Sequence, residues 1–550
     1  MARISWVKCW GKCLVAFLLT ILPGFVQARG ETEPSSPKQS EDTARIERIE
    51  QHLLTLINEN QRLAADLRAL KQQVDSQAKT PNDTRQATQA IGQSALTVSP
   101  STGQVDTLAE GARSVPLDIL PQLSPDIKNP DLGEELPVKP ELSVPVPDSP
   151  DSRQGRFWID YQNGFTIIPF DEEETPFSLR VRNQNVFRYT GFSRSADFWT
   201  NSAGTRIPIT NSNYFGIPRG RLIFSGMALM PQISYLLNID YNSVTSNPIG
   251  FRAYVLSFRF SDAIELSIGQ SKVPGSREWL ESAFAPLQGP DRTMATTFFR
   301  PSLSQGVWIT GEPREGWYYH AMMSNGFNTL NLVPEKLNDR FCWSGSTWWE
   351  PWGDFGAGYS DIQDHDEPAI RLGTSYTFAL GKGNQAESDA VENSPVRLSD
   401  GTLITTPGAI APGVTLQSYD ISLAAIDLSY KYRGLGISSE VYFQDLLKLN
   451  GTGPLPIQST GAFGGFVQGG YFILPQRAEL YVRSSYVTGD YGSGNELACG
   501  FNWFIRKGRE NLRFTLDSTW LDRSPAGQNR TGFVAGESGF LLRTQITAAY

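Results

Sequence analysis

The last eleven residues alternate in two rows. Phe540, Leu542, Thr544, Ile546, Ala548 and Tyr550 form one, and Leu541, Arg543, Gln545, Thr547 and Ala549 the other. Successive side chains of a strand point to opposite faces, so these rows are the two sides of a terminal strand that ends on an outward aromatic. An apolar row set against a more polar one also runs through 178–189, 222–229, 233–241, 423–432 and 512–520. With 178–190 as the first strand, others are expected near 216, 233, 251, 264, 305, 316, 341, 369, 419, 435, 463, 477, 495, 511 and 540, about 16 in all. Gly, Asn, Asp and Pro punctuate them. Short turns are predicted at Ser261-Asp262-Ala263, Arg433-Gly434 and Lys507-Gly508-Arg509, and longer connections at 191–215, 274–304, 325–340, 381–418 and 521–539.

Ten-residue alternating segments in even number are the signature of a membrane β-barrel, with short turns in the periplasm and long loops outside or folded inward. A sandwich also alternates, but one spanning 156–550 would be large for that class. The expected fold is all-β, an antiparallel transmembrane barrel of about 16 strands over 156–550, preceded by an α-helical coiled coil.

The coiled coil is predicted over 42–76, where Ile46, Ile49, Leu53, Leu56, Asn60, Leu63, Leu67, Leu70 and Val74 step by three and four. That is a heptad seam, flanked by charged and amide residues, which pairs most simply with copies of itself. Asn60 at an a position favours two strands. Residues 29–41 have a disordered composition, and 77–155 form a Pro/Ser-rich linker with too little apolar surface to fold. As a coil of roughly 80 residues the linker would span about 50 Å, enough to hold the helix away from the barrel. Residues 1–28 form a signal peptide: Arg3, Lys8 and Lys12 precede the apolar run Cys13–Val26, and cleavage is expected after Ala28. Cys9 and Cys13 lie before or at the start of that run, so lipid attachment is not expected. No later stretch is long and apolar enough for a membrane-spanning helix.

Charge changes the picture little. The chain has 48 basic and 57 acidic residues, and no basic tract suggests a nucleic-acid partner. Cys342 and Cys499 could pair in an oxidising compartment, but distant cysteines do not reveal pairing. Asp361, Asp364, Asp366 and Glu367 surround His365 without ligand spacing, so a solvated turn is expected and no metal site. Phe341, Trp343, Trp348, Trp349, Trp352 and Phe355 read as an interface girdle. His320 has no nucleophile motif beside it; neither an enzyme nor a cofactor is expected. On the first strand Arg180, Arg182 and Arg188 share a parity opposite Leu179, Val181, Phe187 and Tyr189, and Arg219 and Arg221 do so opposite Leu222 and Phe224. With the apolar rows on lipid, these guanidiniums face the lumen. They suit oxyanions because they stay charged and offer forked donors.

The barrel region also resembles the phosphate- and polyphosphate-selective porins. The likeness runs in order through Tyr161-Gln162-Asn163-Gly164-Phe165, Pro218-Arg219-Gly220-Arg221-Leu222 and Gly269-Gln270-Ser271-Lys272-Val273-Pro274. It continues through Glu278, Ser282, Asp291-Arg292, Ser429-Tyr430-Lys431-Tyr432-Arg433-Gly434 and Asn502-Trp503-Phe504. The resemblance implies an outer-membrane trimer with its third loop folded inward and lumen arginines handing anions along. On that basis Arg180, Arg182, Arg188, Arg219, Arg221 and Arg292 are the candidate anion contacts, with Lys272 and Arg277 on the constriction loop. The lysines that phosphate-selective members use in this loop have no clear counterpart, and Trp279 stands beside Glu278 instead. Expected partners are small anions or other small hydrophilic solutes, outer-membrane lipid and further copies of the chain. A second reading makes the chain an outer-membrane tether whose periplasmic coiled coil contacts the cell wall.

Overall fold

The computed structural model describes residues 157–550 except 162–163, 170–175, 247, 285–286, 331, 333, 338 and 383–394. The signal peptide, the 42–76 coiled coil and the 77–155 linker lie outside the described residues.

Sixteen antiparallel strands form one continuous wall: β3 (Leu179–Arg194), β6 (Ser212–Ala228), β7 (Met230–Tyr241), β8 (Ile249–Ser261), β9 (Ile264–Lys272), β10 (Leu303–Arg314), β11 (Trp317–Ser324), β12 (Cys342–Trp352), β13 (Ala369–Lys382), β14 (Leu416–Tyr432), β15 (Leu435–Gly451), β16 (Thr460–Leu474), β17 (Ala478–Gly489), β18 (Gly492–Phe504), β19 (Leu512–Asp522) and β20 (Gly539–Ala549). Each pairs with the next, and β20 closes on β3 from Gly539↔Arg194 to Ala549↔Gln184. Beyond that register, Tyr550 N donates to Asn183 O at 2.8 Å and Asn183 N to Tyr550 O at 2.6 Å. The closure leaves no open edge along this seam, as a wall in hydrocarbon requires.

Two small hairpins escaped the alternation pattern. Strands β1 (Phe157–Tyr161) and β2 (Phe165–Pro169) pair with each other, and β2 takes the edge of β3 just past Tyr550, with Phe165↔Val181 and Ile167↔Leu179. The hairpin of β4 (Phe198–Thr200) and β5 (Arg206–Pro208) lies in the first long loop. Among the described residues the α-helix is confined to two short pieces of the third loop, α1 (Arg277–Leu280) and α2 (Met294–Phe299).

The two faces differ in chemistry. On β17, Leu480 and Val482 are half exposed while Glu479, Tyr481 and Arg483 between them are buried. On β14, Ile426 and Leu428 face out and Asp427 and Ser429 face in. The aromatic concentration divides the same way. Phe341, Trp343, Trp349 and Trp352 are exposed, whereas Trp348 and Phe355 are buried inside. Trp343 and Trp352 sit near opposite ends of β12, about 30 Å apart along a strand and ~21–25 Å along a barrel axis at the usual tilt. Indole rings at those two levels mark the two membrane interfaces. Cys342 is buried and Cys499 faces outward, and the two are not bridged to each other.

An arginine at the centre of the outward face tests the placement of the apolar belt. Ile426→Arg is expected to destabilise the barrel by about 2–4 kcal/mol, measured by urea unfolding in lipid vesicles. Ser429→Ala, on the inward face of the same strand, is expected to cost less.

Candidate functional site

The connection from β9 to β10, Val273 to Ser302 and the third at the long-loop end, does not stay outside. All of its described residues are buried except the partly exposed Glu281. A loop in this position must satisfy its own backbone groups and those of the wall it covers, and two short helices, one of them with a side-chain cap, do so here. Thr293 caps α2 by accepting from Thr296 N. The next free N–H groups reach the far wall: Met294 N donates to Glu496 at 2.7 Å and Ala295 N to Ser485 at 3.0 Å. Carboxylates at helix N-termini take up orphan donors and oppose the partial positive charge there. Phe299 of α2 stacks on Tyr442 of β15, with ring centroids 5.0 Å apart. Gly464 makes room, since a Cβ there would fall 2.6 Å from the Phe299 ring.

The other end of the loop reaches the arginine-bearing wall. Arg219 donates both terminal nitrogens to Asp291, at 2.6 and 2.7 Å, and Arg188 adds a third contact at 3.2 Å. Arg188 also donates to Pro290 O, Arg530 O and Gln545. Burial pushes the Asp291 carboxyl upward, but Arg219 and Arg188 outweigh it and hold the pKa at about 2. The candidates thus fall into three groups. Arg188 and Arg219 hold the loop's carboxylate. Arg221 lies 3.9 Å from Asp240, its guanidinium over the Phe284 ring, and Asp240 also pairs with Arg530 from the last long loop. Arg180 and Arg182 sit on the inward parity of β3, the first buried and the second partly exposed.

Of the three loop candidates, Arg292 and Lys272 brace the loop itself, and Arg277 ties it to its surroundings. Arg292 donates to the carbonyls of Glu278, Trp279 and Glu281, bracing the C-terminal end of α1. Lys272 donates to Leu280 O and Glu281 O at 2.7 and 3.0 Å. Arg277 reaches Ser429 on β14 and Gly358 O. The charges of Arg292 and Lys272 therefore sit on carbonyls at the C-terminal end of α1, where cations are favoured.

Sequence reasoning missed the counter-charges. Asp517 takes Arg543 at 2.6 Å, Glu496 takes Arg483, and Asp427 lies 3.8 Å from Arg371. Inward parity marked each of them, but no local signal says which strand's arginine it meets. Asp361 likewise is not solvated. It is fully buried, bonded to the His365 ring and accepting from Gly434 N at 2.8 Å, while Asp364, Asp366 and Glu367 are exposed. His320 is buried on β11. Among the described residues no three His, Cys, Asp or Glu side chains are grouped to hold a metal.

No family model matches the chain, and no curated protein matches it. Solved structures do resemble it. OmpT of Vibrio cholerae is 11 % identical over 68 % of this chain and 98 % of its own, at a TM-score of 0.41. An anion-selective porin from Comamonas acidovorans is 11 % identical over 68 % and 99 %, at 0.43. OmpF of Salmonella typhi, in complex with daunomycin, is 10 % identical over 72 % and 100 %, also at 0.43. At these values the likenesses add nothing to what the strand pairing establishes.

The Asp291 latch has a pH signature. Its folded pKa lies below the ordinary aspartate value near 3.9, so folding favours the charged form. The stability it adds is present above about pH 4 and is lost as pH falls through about 2. Asp291→Asn, which leaves two buried guanidiniums without their carboxylate, is expected to cost about 3–5 kcal/mol at pH 7. The gap between wild type and variant, read by unfolding midpoint, is expected to hold to about pH 4 and narrow below it.

Proposed function

We propose that this chain is an outer-membrane porin, a passive channel for small hydrophilic solutes with a preference for anions. One observation carries the reading: a closed barrel of sixteen strands has an apolar outside and a charged interior whose arginines are crowded on one wall. Barrels of this size leave an aqueous path, and charge on the lining selects the ion. Arg180, Arg182, Arg188, Arg219, Arg221, Arg252, Arg530 and Arg543 gather on or beside β3, β6, β8 and β20, and the carboxylates seen pairing with them are Asp240, Asp291 and Asp517. On β14, β15, β17 and β18 the inward residues include Asp427, Glu440, Glu479 and Glu496, the first and last of them met by Arg371 and Arg483. This polarity sets up a transverse field with a positive side for anions.

Phosphate selectivity is the narrower form of the proposal. The forked site best shaped for an oxyanion, Arg219 with Arg188, already holds the Asp291 carboxylate. Selective phosphate passage would therefore rely on lumen cations other than this pair. The sequence resemblance supports assembly as a homotrimer, with the coiled coil on the periplasmic side.

A specific observation favours the tether as second reading. Arg219, Arg221, Arg252, Arg513 and Arg543 are all 2 % exposed or less, so the inward wall is largely covered by chain. A barrel filled in this way could serve as an anchor alone.

Planar-bilayer recording separates the two. Stepwise channels with an anion-favouring reversal potential in a salt gradient are expected, and Arg180→Gln with Arg182→Gln should move that potential toward zero. Block by low phosphate would support the narrower form. Absence of conductance from a folded, heat-modifiable barrel would leave the tether.

A further inference from the structure

At the short-turn end most connections are brief, such as 262–263 between β8 and β9, 315–316 between β10 and β11, and 433–434 between β14 and β15. The connection from β12 to β13 is different and runs from 353 to 368. An excursion of this length on the surface would leave its apolar residues in water. Here Phe355, Tyr359 and Ile362 are 0, 1 and 7 % exposed, so the segment turns into the barrel. Wall groups hold it there. Lys431 Nζ donates to Ala357 O at 2.9 Å and to Phe355 O at 3.2 Å, and the Tyr359 hydroxyl donates to Glu440 at 3.2 Å. Gly436 permits the approach: a Cβ at that position would lie 2.3 Å from Tyr359 O.

The third loop meets this segment from the opposite end. Arg277 donates to Gly358 O, and its guanidinium covers the Phe355 ring at 4.7 Å and the Tyr359 ring at 4.3 Å. Ala283 and Leu287 pack against Tyr359 in one buried cluster. Two segments entering from opposite ends thus touch inside the wall. The lower one contributes no rung to the sheet, because the β12–β13 ladder runs from Trp343↔Phe378 to Trp352↔Ile370 without it. It can be shortened while every strand keeps its partner.

We propose that residues 353–368 form a second constriction element, which together with the third loop sets the size limit for solutes. The proposal rests on the porin reading and extends it. Passage is limited by the narrowest cross-section and the polar groups around it, and here that section is built jointly by Arg277 above and Phe355 and Tyr359 below.

The test replaces residues 353–368 by an Asn-Gly turn in the full chain and compares it with wild type in liposome swelling. The solutes are a pentose, a disaccharide and a tetrasaccharide, with single-channel conductance recorded in parallel. Heat-modifiability confirms folding. Gly436→Ala serves as a second variant of unchanged length, since its methyl group displaces the segment. Gly469→Ala, whose Cβ has no contact nearer than 3.7 Å, is the control. Larger sugars are expected to enter through both test variants and not through wild type or control, with conductance raised about twofold or more. The same size limit and conductance in a folded replacement variant and in wild type would overturn the proposal and leave the porin reading standing. A silent wild type with a conducting variant would make the segment a complete closure, supporting its role while removing the open-porin reading. Silence in both would overturn both.

Discussion

Hydrocarbon offers no partner for a peptide N–H or C=O, and the seam between β3 and β20 is where this chain meets that constraint. Every other pairing in the wall joins strands that follow one another along the chain, whereas these two are separated by most of the barrel and must find each other. Their ladder, continued by the exchange between Asn183 and Tyr550, turns an open sheet into a wall without exposed backbone. The β1–β2 hairpin then carries the same edge of β3 past the C-terminus. Closure also dictates the chemistry of the faces: one row of each strand meets lipid, and the other is left for water, charge and loops.

The charged interior carries its own requirement. A guanidinium withdrawn from water is tolerable only when its donors are met and its charge is opposed. The wall arginines meet this with carboxylates from other strands and from inward segments, as in Arg543 with Asp517, Arg530 with Asp240, and Arg188 and Arg219 with Asp291. The third loop is therefore part of the electrostatic balance of the barrel as well as an obstruction in it. Its helix termini reverse the arrangement, setting Glu496 against the N–H groups of α2 and placing Arg292 on the carbonyls of α1.

From these two constraints follows a division of labour between wall and filling. The wall is held by continuous ladders and varies little with what lies inside. The inward segments are held by hydrogen bonds, ion pairs and a few ring contacts, so under the porin proposal transport properties belong mainly to them. In that proposal, the arginine-rich wall steers anions to one side of the path the segments leave.

The strands were legible in the sequence because a period of two is a local property. Each segment declares its faces without reference to any other, and all sixteen strands appear near the expected positions. The inward position of Arg188, Arg219 and Arg221 follows from the same parity. Less was legible where a residue's surroundings come from distant strands. Arg292, Lys272 and Arg277 brace or anchor the third loop, Asp361 is buried under a turn, and Trp348 and Phe355 face inward although their neighbours form the girdle. The 361–367 stretch read as a solvated turn because its composition is polar and Gly434, which donates to Asp361, lies far along the chain. The sequence by itself determined the approximate number of strands and the two faces of most of them. Only the closed tertiary structure decided which charges meet across the lumen, because that depends on register and closure summed around the whole barrel.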